Sequence, residues 1–262
     1  MTDLPLIDAH VHLGPSDTGE LYYGRLLGDE FVRLCDEAGV AGALVFPPLL
    51  NAGYAQANLD LADWCARTGR GMRALARIGG RTIGVTEPQL WLVRKKLRGL
   101  VLGRKPDLDL DQLPRFAGVK LLPHLDGVPD AEVFEEVARL DLPVLTHGGV
   151  YVDPGFIERA ILPKVRTKLV IAHLGAFPDG EANLRAAVDL AAREDRVFLD
   201  TSGIWIADFL RYAVARVPDK LIWGSDCPLT HPRVAWRFVQ SVVTDDALLE
   251  RIGHRTAKDV YG

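Results

Sequence analysis

The sequence predicts an α/β fold, a single (β/α)₈ TIM barrel covering residues 1–262 as one domain. Eight short apolar runs alternate with helical segments along the whole chain, and this alternation indicates a parallel sheet with helices outside it. No shift in composition marks a linker, and 262 residues suit one such barrel. A doubly wound open sheet is the alternative. It usually has fewer strands, and no Gly-x-Gly-x-x-Gly fingerprint follows the first strand here.

Apolar runs of four to eight residues, closed by Pro, Gly or polar residues, predict the strands. In chain order these are Leu4–Val11, Ala41–Phe46, Arg73–Ile78, Phe116–Leu122, Leu142–Thr146, Lys168–Ala172, Arg196–Asp200 and Lys220–Gly224. Pro47 closes the second run, because proline cannot continue a central strand.

Apolar residues at helical spacing predict the segments between the strands. In chain order these are Glu30–Ala38, Ala55–Thr68, Glu87–Leu102, Ala131–Leu140, Pro154–Leu162, Glu181–Arg193, Ile204–Val217, Pro232–Val243 and Asp245–Gly253. Gly39 and Gly69 follow the first two, at the position where glycine commonly ends a helix.

Composition narrows the class of protein. The formal net charge is -4, and without a long basic stripe we expect no nucleic-acid partner. The three cysteines have no regular spacing, which argues against a disulfide framework and fits a reducing compartment. No signal peptide is visible, and the most apolar window, 40–50, is too short to span a bilayer. We expect a cytoplasmic protein without a membrane partner; a homodimer is left open.

Six of the seven histidines lie at or just after the predicted carboxyl end of a strand. They are His10, His12, His124, His147, His173 and His231. In a barrel these ends face one mouth, where active sites are built. A single histidine at such a place, such as His124 or His231, is more often structural than a ligand. The clustering of six nevertheless predicts a site.

Asp8, His10 and His12 alternate along the first strand and therefore project to one face. Joined by His147 and Asp226 from other strands, the two histidines predict a divalent metal. Imidazole and carboxylate ligands suit Zn²⁺, Mn²⁺ or Fe²⁺, and the lack of a cysteine cluster argues against a closed structural zinc site. Asp8 lies deeper and is expected to support the ligands rather than to ligate.

The predicted chemistry is metal-assisted hydrolysis. A bound divalent metal lowers the pKa of its water toward about 7. Asp226 can accept the proton of that water, and His173 can hydrogen-bond the substrate carbonyl or the developing oxyanion.

Five motifs together resemble the amidohydrolase superfamily. They are Asp8–Gly14, Gly118–Leu121, Thr146–Gly149, Ala172–Gly175 and Gly224–Pro228. The chain is most similar to the branch with the aminocarboxymuconate-semialdehyde decarboxylase-like and amidohydrolase family 2 proteins. The resemblance implies a distorted, amidohydrolase-like (β/α)₈ barrel with one divalent metal ion, for which we expect Zn²⁺ first and allow Mn²⁺ or Fe²⁺. It also implies metal ligands and a catalytic residue: His10, His12, His147 and Asp226 as ligands, with His173 as the catalytic histidine.

The chain departs from the family pattern after the fifth strand, where Tyr151 is the nearest aromatic residue, and near its end, where His254 stands in place of an asparagine. Lys120 is either a structural or substrate-orienting lysine or, as in some superfamily members, a carboxylated bridge to a second metal. Cys227 is expected to serve in packing.

The sequence is compatible with three functions. The first is a metal-dependent hydrolase that uses metal-activated water on an amide, lactone or ester bond of a small molecule. The alternative is a non-oxidative decarboxylase of an aromatic or unsaturated acid. The third is a barrel without catalysis that binds a partner; the intact set of site residues argues against it.

Overall fold

The computed structural model describes residues 5–16, 25–50, 53–80 and 108–262. Eight parallel strands hydrogen-bond in sequence order, β1 to β8. They are β1 Leu6–His12, β2 Val40–Phe46, β3 Met72–Arg77, β4 Gly118–Leu121, β5 Val144–Thr146, β6 Leu169–Ile171, β7 Val197–Asp200 and β8 Leu221–Ile222. The predicted (β/α)₈ barrel is confirmed, and all eight predicted strands are present.

The barrel closes between β8 and β1, although regular β8 pairing covers only two residues. Past that point the chain still bonds to β1: the Asp226 amide donates to the His10 carbonyl at 2.9 Å, and the His12 amide donates to the Cys227 carbonyl at 2.8 Å. The distortion of the barrel therefore falls at the seam that joins its first and last strands.

Helices follow the strands, as the apolar spacing predicts. Within the described residues the α-helices are Gly28–Ala38, Tyr54–Thr68, Pro123–Asp126, Ala131–Arg139, Pro154–Phe156, Glu181–Arg193, Ala207–Arg216, Pro232–Val242, Asp246–Glu250 and Thr256–Tyr261. The first buries Phe31 and Cys35, one turn apart, and ends at Gly39 with φ 74°, a left-handed angle that glycine adopts without strain. The predicted helix Glu87–Leu102 lies outside the described residues.

Two predicted helices change type along their length. The segment predicted as Pro154–Leu162 begins as a short α-helix and continues as a π-helical turn over Ile157–Ile161. The segment predicted to end at Gly253 passes through a second π-helical turn, Arg251–Arg255, into the last helix. Apolar spacing indicates a helix but does not distinguish an α-turn from a π-turn. No helix in the described ranges is long and apolar enough to cross a membrane.

Buried apolar residues form two clusters. One fills the barrel, with Leu44, Phe46 and Leu145 from the strands and Val260 and Tyr261 from the last helix. The larger one lies between strands and helices. Buried polar residues such as His10, Lys120 and Asp200 lie near the carboxyl ends of their strands.

An irregularity in β1 changes the predicted alternation. Asp8 pairs with Ala43, but Val11 pairs with Val45, so β1 contains one extra residue between these pairs. A bulge of this kind turns the side chains that follow it. The expectation that Asp8 shares a face with His10 and His12 is therefore wrong: its carboxylate accepts the backbone amides of Ser225, at 2.8 Å, and His10, at 3.3 Å.

Candidate active site

A cavity of about 660 Å³ opens at the carboxyl ends of the strands. Five predicted site or strand-end residues line it: His12, His124, His147, His173 and Asp226. His10 lies beneath them and is fully buried. Most of the remaining lining is apolar or aromatic: Leu122, Tyr151, Phe177, Pro178, Trp205, Pro228 and Leu229.

His231 does not join this set. Its side chain is 36% exposed, with Nε2 3.5 Å from Glu37, and its Nδ1 accepts the Arg233 amide at the start of the helix Pro232–Val242. The loop after β8 carries it past the mouth, so its role is that of a helix cap.

His10, His12 and Asp226 converge on one point. Asp226 Oδ1 is 3.5 Å from His10 Nε2 and 3.3 Å from His12 Nε2, and the ligand atoms of the three all lie within 4.8 Å of one another. Tetrahedral ligands about 2.1 Å from a metal lie roughly 3.4 Å apart. The spacing of these three atoms therefore fits a divalent metal ion.

The hydrogen bonding of His10 supports this fit. Its Nδ1 is 2.7 Å from Asp200 Oδ2, and a carboxylate can only accept, so the ring proton belongs on Nδ1. His10 Nε2 therefore presents a lone pair toward the equally electron-rich Asp226 Oδ1. Two lone pairs that face each other in a buried site need a cation or a hydrogen-bond donor beside them, a place that a metal ion or the Lys120 amine, 3.4 Å from His10 Nε2, can take.

Asp226 adopts an unusual backbone conformation, with φ 63°. A left-handed conformation in a residue other than glycine is a form of strain that clusters at functional sites. Burial opposes the negative charge, but a hydrogen bond with His12 helps to hold the pKa of Asp226 below its usual range. The group is therefore a carboxylate, the form that metal ligation requires.

His147 lines the cavity next to these three residues, but it is in no group of three or more whose ligand atoms all lie within 4.8 Å, as far as the described chain shows. Its Nε2 is buried and has no hydrogen-bond partner among the described residues. Burial lowers the pKa of His147 well below its ordinary value, so the ring is neutral. A neutral imidazole with an unused buried nitrogen is suited to ligation, and its place in the ligand set stays a prediction.

His173 follows β6 in a left-handed turn, with φ 59°. Its Nδ1 is 2.9 Å from the Ser202 carbonyl oxygen. Since that oxygen only accepts, the proton belongs on Nδ1 and Nε2 carries a lone pair. Burial lowers the pKa of His173 to about 4, so the neutral ring offers the cavity a proton acceptor. The oxyanion contact predicted from the sequence requires instead a proton on Nε2.

Asp200, at the end of β7, is the site residue that the sequence reasoning missed. Its carboxylate contacts His10 and also accepts the backbone amides of His173, at 2.9 Å, and Ser202, at 3.0 Å. It is fully buried. Its place at a strand end is one signal that the sequence offers, because strand ends in a barrel carry functional groups.

Lys120 is buried on β4, with Nζ 3.4 Å from His10 Nε2 and 4.7 Å from the centre of the Phe46 ring. Burial lowers the pKa of Lys120 to about 7. The distance to His10 Nε2 places the amine directly beside the predicted metal position. This place suits a structural or substrate-orienting lysine as well as a carboxylated bridge to a second metal.

Three other residues named from the sequence are Tyr151, His254 and Cys227, and only some of them lie near this centre. Tyr151 stacks on His124 at 5.6 Å with 18° between the rings, and forms part of the cavity wall. His254 is remote from it: its Nδ1 donates to the Pro5 carbonyl at 2.6 Å. Cys227 is buried and its thiol pKa is raised by burial, in keeping with packing.

Comparisons with known proteins agree with this architecture. A family model described as Amidohydrolase matches residues 7–262. No curated protein matches the sequence. A probable 2-pyrone-4,6-dicarboxylic acid hydrolase from Acinetobacter baumannii, crystallised with citric acid, is 17% identical, with a TM-score of 0.67 over 98% of this chain and 99% of that one.

Two decarboxylases share the fold. The 5-carboxyvanillate decarboxylase of Sphingomonas paucimobilis is 14% identical, with a TM-score of 0.62 over 98% of this chain and 99% of its own. A dihydroxybenzoic acid decarboxylase from a Polaromonas species, with bound manganese and the inhibitor 2-nitroresorcinol, is 16% identical, with a TM-score of 0.57 over 98% and 96%. At these identities the likeness shows the fold alone.

Proposed function

The chain belongs to the amidohydrolase family, and from this premise we propose that it is a metal-dependent hydrolase of an amide, lactone or ester bond in a small molecule. The supporting observation is that two proton acceptors, the Asp226 carboxylate and His173 Nε2, border the cavity. Hydrolysis needs acceptors of this kind, because the attacking water must lose a proton.

Each residue of the site has a separate role in the proposed hydrolysis. When bound at His10, His12 and Asp226, with His147 beside them, a divalent ion lowers the pKa of water toward about 7 and polarises a carbonyl. Asp226 accepts the proton of the attacking water and returns it to the leaving group. His173 accepts a hydrogen bond through Nε2 and orients the water. We propose Zn²⁺ as the ion, with Mn²⁺ or Fe²⁺ as alternatives.

The walls of the cavity favour a planar substrate. Phe177 and Trp205 meet edge to face at 6.3 Å, and Tyr151 extends the aromatic wall on the His124 side. A ring or a flat acyl group packs well against such surfaces. A lactone or an aryl ester of one ring is therefore the first substrate class to test.

The aromatic wall also favours a second candidate, the decarboxylation of an aromatic acid, since two related structures are decarboxylases of ring acids. Decarboxylation requires a proton donor for the carbanion that CO₂ leaves behind. With its proton on Nδ1, His173 presents no such donor to the cavity, and for this reason hydrolysis is placed first.

The test is a direct comparison of the two reactions. Protein reconstituted with Zn²⁺ or Mn²⁺ is assayed for hydrolysis of a lactone and aryl ester panel that includes 2-pyrone-4,6-dicarboxylate. It is also assayed for CO₂ release from 5-carboxyvanillate and 2,6-dihydroxybenzoate. We expect turnover on the first panel that falls at least 100-fold in His173→Gln and Asp226→Asn.

His231→Gln is the matched control, because His231 also follows β8 but lies outside the cavity lining. It is expected to retain wild-type turnover. CO₂ release without any hydrolysis would transfer the assignment to the decarboxylase, and activity that survives in Asp226→Asn would refute the proposed proton acceptor.

We also propose a cytoplasmic location and a small molecule as the partner. The three cysteines are free and buried, which suits a reducing compartment. A homodimer stays open and is tested by sedimentation of the purified protein.

A further inference from the structure

One buried carboxylate contacts both functional histidines. Asp200 Oδ2 faces His10 Nδ1 at 2.7 Å. Asp200 Oδ1 accepts three donors: the His173 amide at 2.9 Å, the Ser202 amide at 3.0 Å and the Ser202 hydroxyl at 2.5 Å. All four groups are buried. The acceptor capacity of the carboxylate is therefore fully engaged, and each donor has a fixed direction.

Ser202 links the two imidazoles. Its Oγ lies 3.0 Å from His10 Nδ1 and 2.9 Å from His173 Nδ1, and its carbonyl oxygen lies 2.9 Å from the same His173 nitrogen. Because the hydroxyl proton is directed to Asp200, the oxygen is left to accept. Both ring nitrogens that face Ser202 must then carry protons.

We propose that Asp200 is a positioning residue that, through Ser202, holds His10 and His173 in the same tautomer, with protons on Nδ1 and lone pairs on Nε2. This places one lone pair at the predicted metal position and the other at the cavity. The inference rests on the proposed function for its catalytic meaning, but the tautomers themselves exist without metal or substrate.

Asp200→Asn separates this role from simple packing. An amide has one oxygen, so it cannot accept from His10 on one side and from Ser202 and the His173 amide on the other. Two of the donors on the second side are backbone amides that cannot reverse. His10 can reverse, by accepting the new NH₂ at Nδ1 and moving its proton to Nε2. An Asp-to-Asn change beside a catalytic histidine is known to stabilise the wrong tautomer in this way.

The expected consequence is a protein that folds but in which His10 no longer has a lone pair on Nε2. Changes to groups that orient metal-binding histidines weaken metal affinity about 10–100-fold. Asp200→Asn should therefore weaken Zn²⁺ or Mn²⁺ binding by at least 10-fold, while the circular dichroism spectrum is retained.

The experiment reads the tautomers by NMR in metal-free protein containing ¹⁵N-histidine, with His10→Gln and His173→Gln used for assignment. In the wild type both rings should be protonated on Nδ1, and in Asp200→Asn the His10 ring should be protonated on Nε2. Thr201→Val is the matched control: it is buried in the same loop, and its hydroxyl has no hydrogen-bond partner within the described ranges. It should keep the wild-type pattern and metal affinity.

Either of two results overturns the proposal: a wild-type His10 or His173 protonated on Nε2, or a folded Asp200→Asn protein in which His10 keeps its proton on Nδ1. The wild-type measurement decides the matter even if the variant does not fold. Since neither tautomer measurement involves turnover, a failure of the hydrolase assignment would leave the tautomers measured in the wild type and in Asp200→Asn unchanged.

Discussion

Gly224 allows the last strand to approach the first, and Gly224→Ala is expected to damage the metal site directly. A Cβ added at Gly224 would lie 2.7 Å from the His10 Cβ and 3.3 Å from the Ser202 Cβ. To restore an ordinary contact of 3.4 Å, the two strands must separate by about 0.7 Å. Overpacking of this kind costs roughly 1–3 kcal/mol, which lowers the Tm of a chain of this size by about 2–12 °C.

The same displacement acts on metal binding. Ligand distances in a metal site are held within about 0.2 Å, so a shift of about 0.7 Å at His10 should weaken Zn²⁺ binding by more than about 10-fold. Calorimetric unfolding and competition with a chelating dye measure the two effects. Gly180→Ala is the control, since its added Cβ meets the movable Asn183 amide at 3.2 Å. Equal Tm and Zn²⁺ affinity in the two variants would refute the assignment of His10 as a ligand held by this close approach.

Three further predictions concern burial and binding. Arg77 pairs with Asp126 through bonds of 2.8 and 3.2 Å, so Arg77→Met should lower stability by about 3–5 kcal/mol, and adding Asp126→Leu should restore part of the loss in denaturant titrations. The thiols of Cys35, Cys65 and Cys227 are buried with raised pKa values, so a disulfide reagent at pH 8 should label none in native protein and three after unfolding; rapid native labelling would contradict this packing. Zn²⁺ at about 100 times its Kd should stabilise the protein by about 2.7 kcal/mol, and an unchanged Tm in differential scanning calorimetry would argue against a metal site.

The sequence predicts the barrel well, because alternation of apolar runs and helical spacing is a property of the whole chain. It also predicts where chemistry occurs: His12, His147, His173 and Asp226 all reach one cavity. This follows from topology, since parallel strands present their carboxyl ends to the same side.

What the sequence did not predict depends on local geometry. The β1 bulge turns Asp8 away from the face that strict alternation assigned to it. The loop after β8 carries His231 to the head of a helix instead of into the cavity. Asp200 was overlooked because its importance lies in contacts with His10 and His173, which are distant in sequence and meet only when the barrel closes.

The closing seam of the barrel and the predicted metal site share the same bonds. The Asp226 amide donates to the His10 carbonyl and the His12 amide donates to the Cys227 carbonyl, so the backbone bonds that join β8 to β1 also set the spacing of His10, His12 and Asp226. A barrel that fails to close there cannot hold the three ligand atoms about one point. The short β8, the left-handed Asp226 and the β1 bulge are therefore best understood together, as the local departures from a regular barrel that bring ligands from its first and last strands into contact.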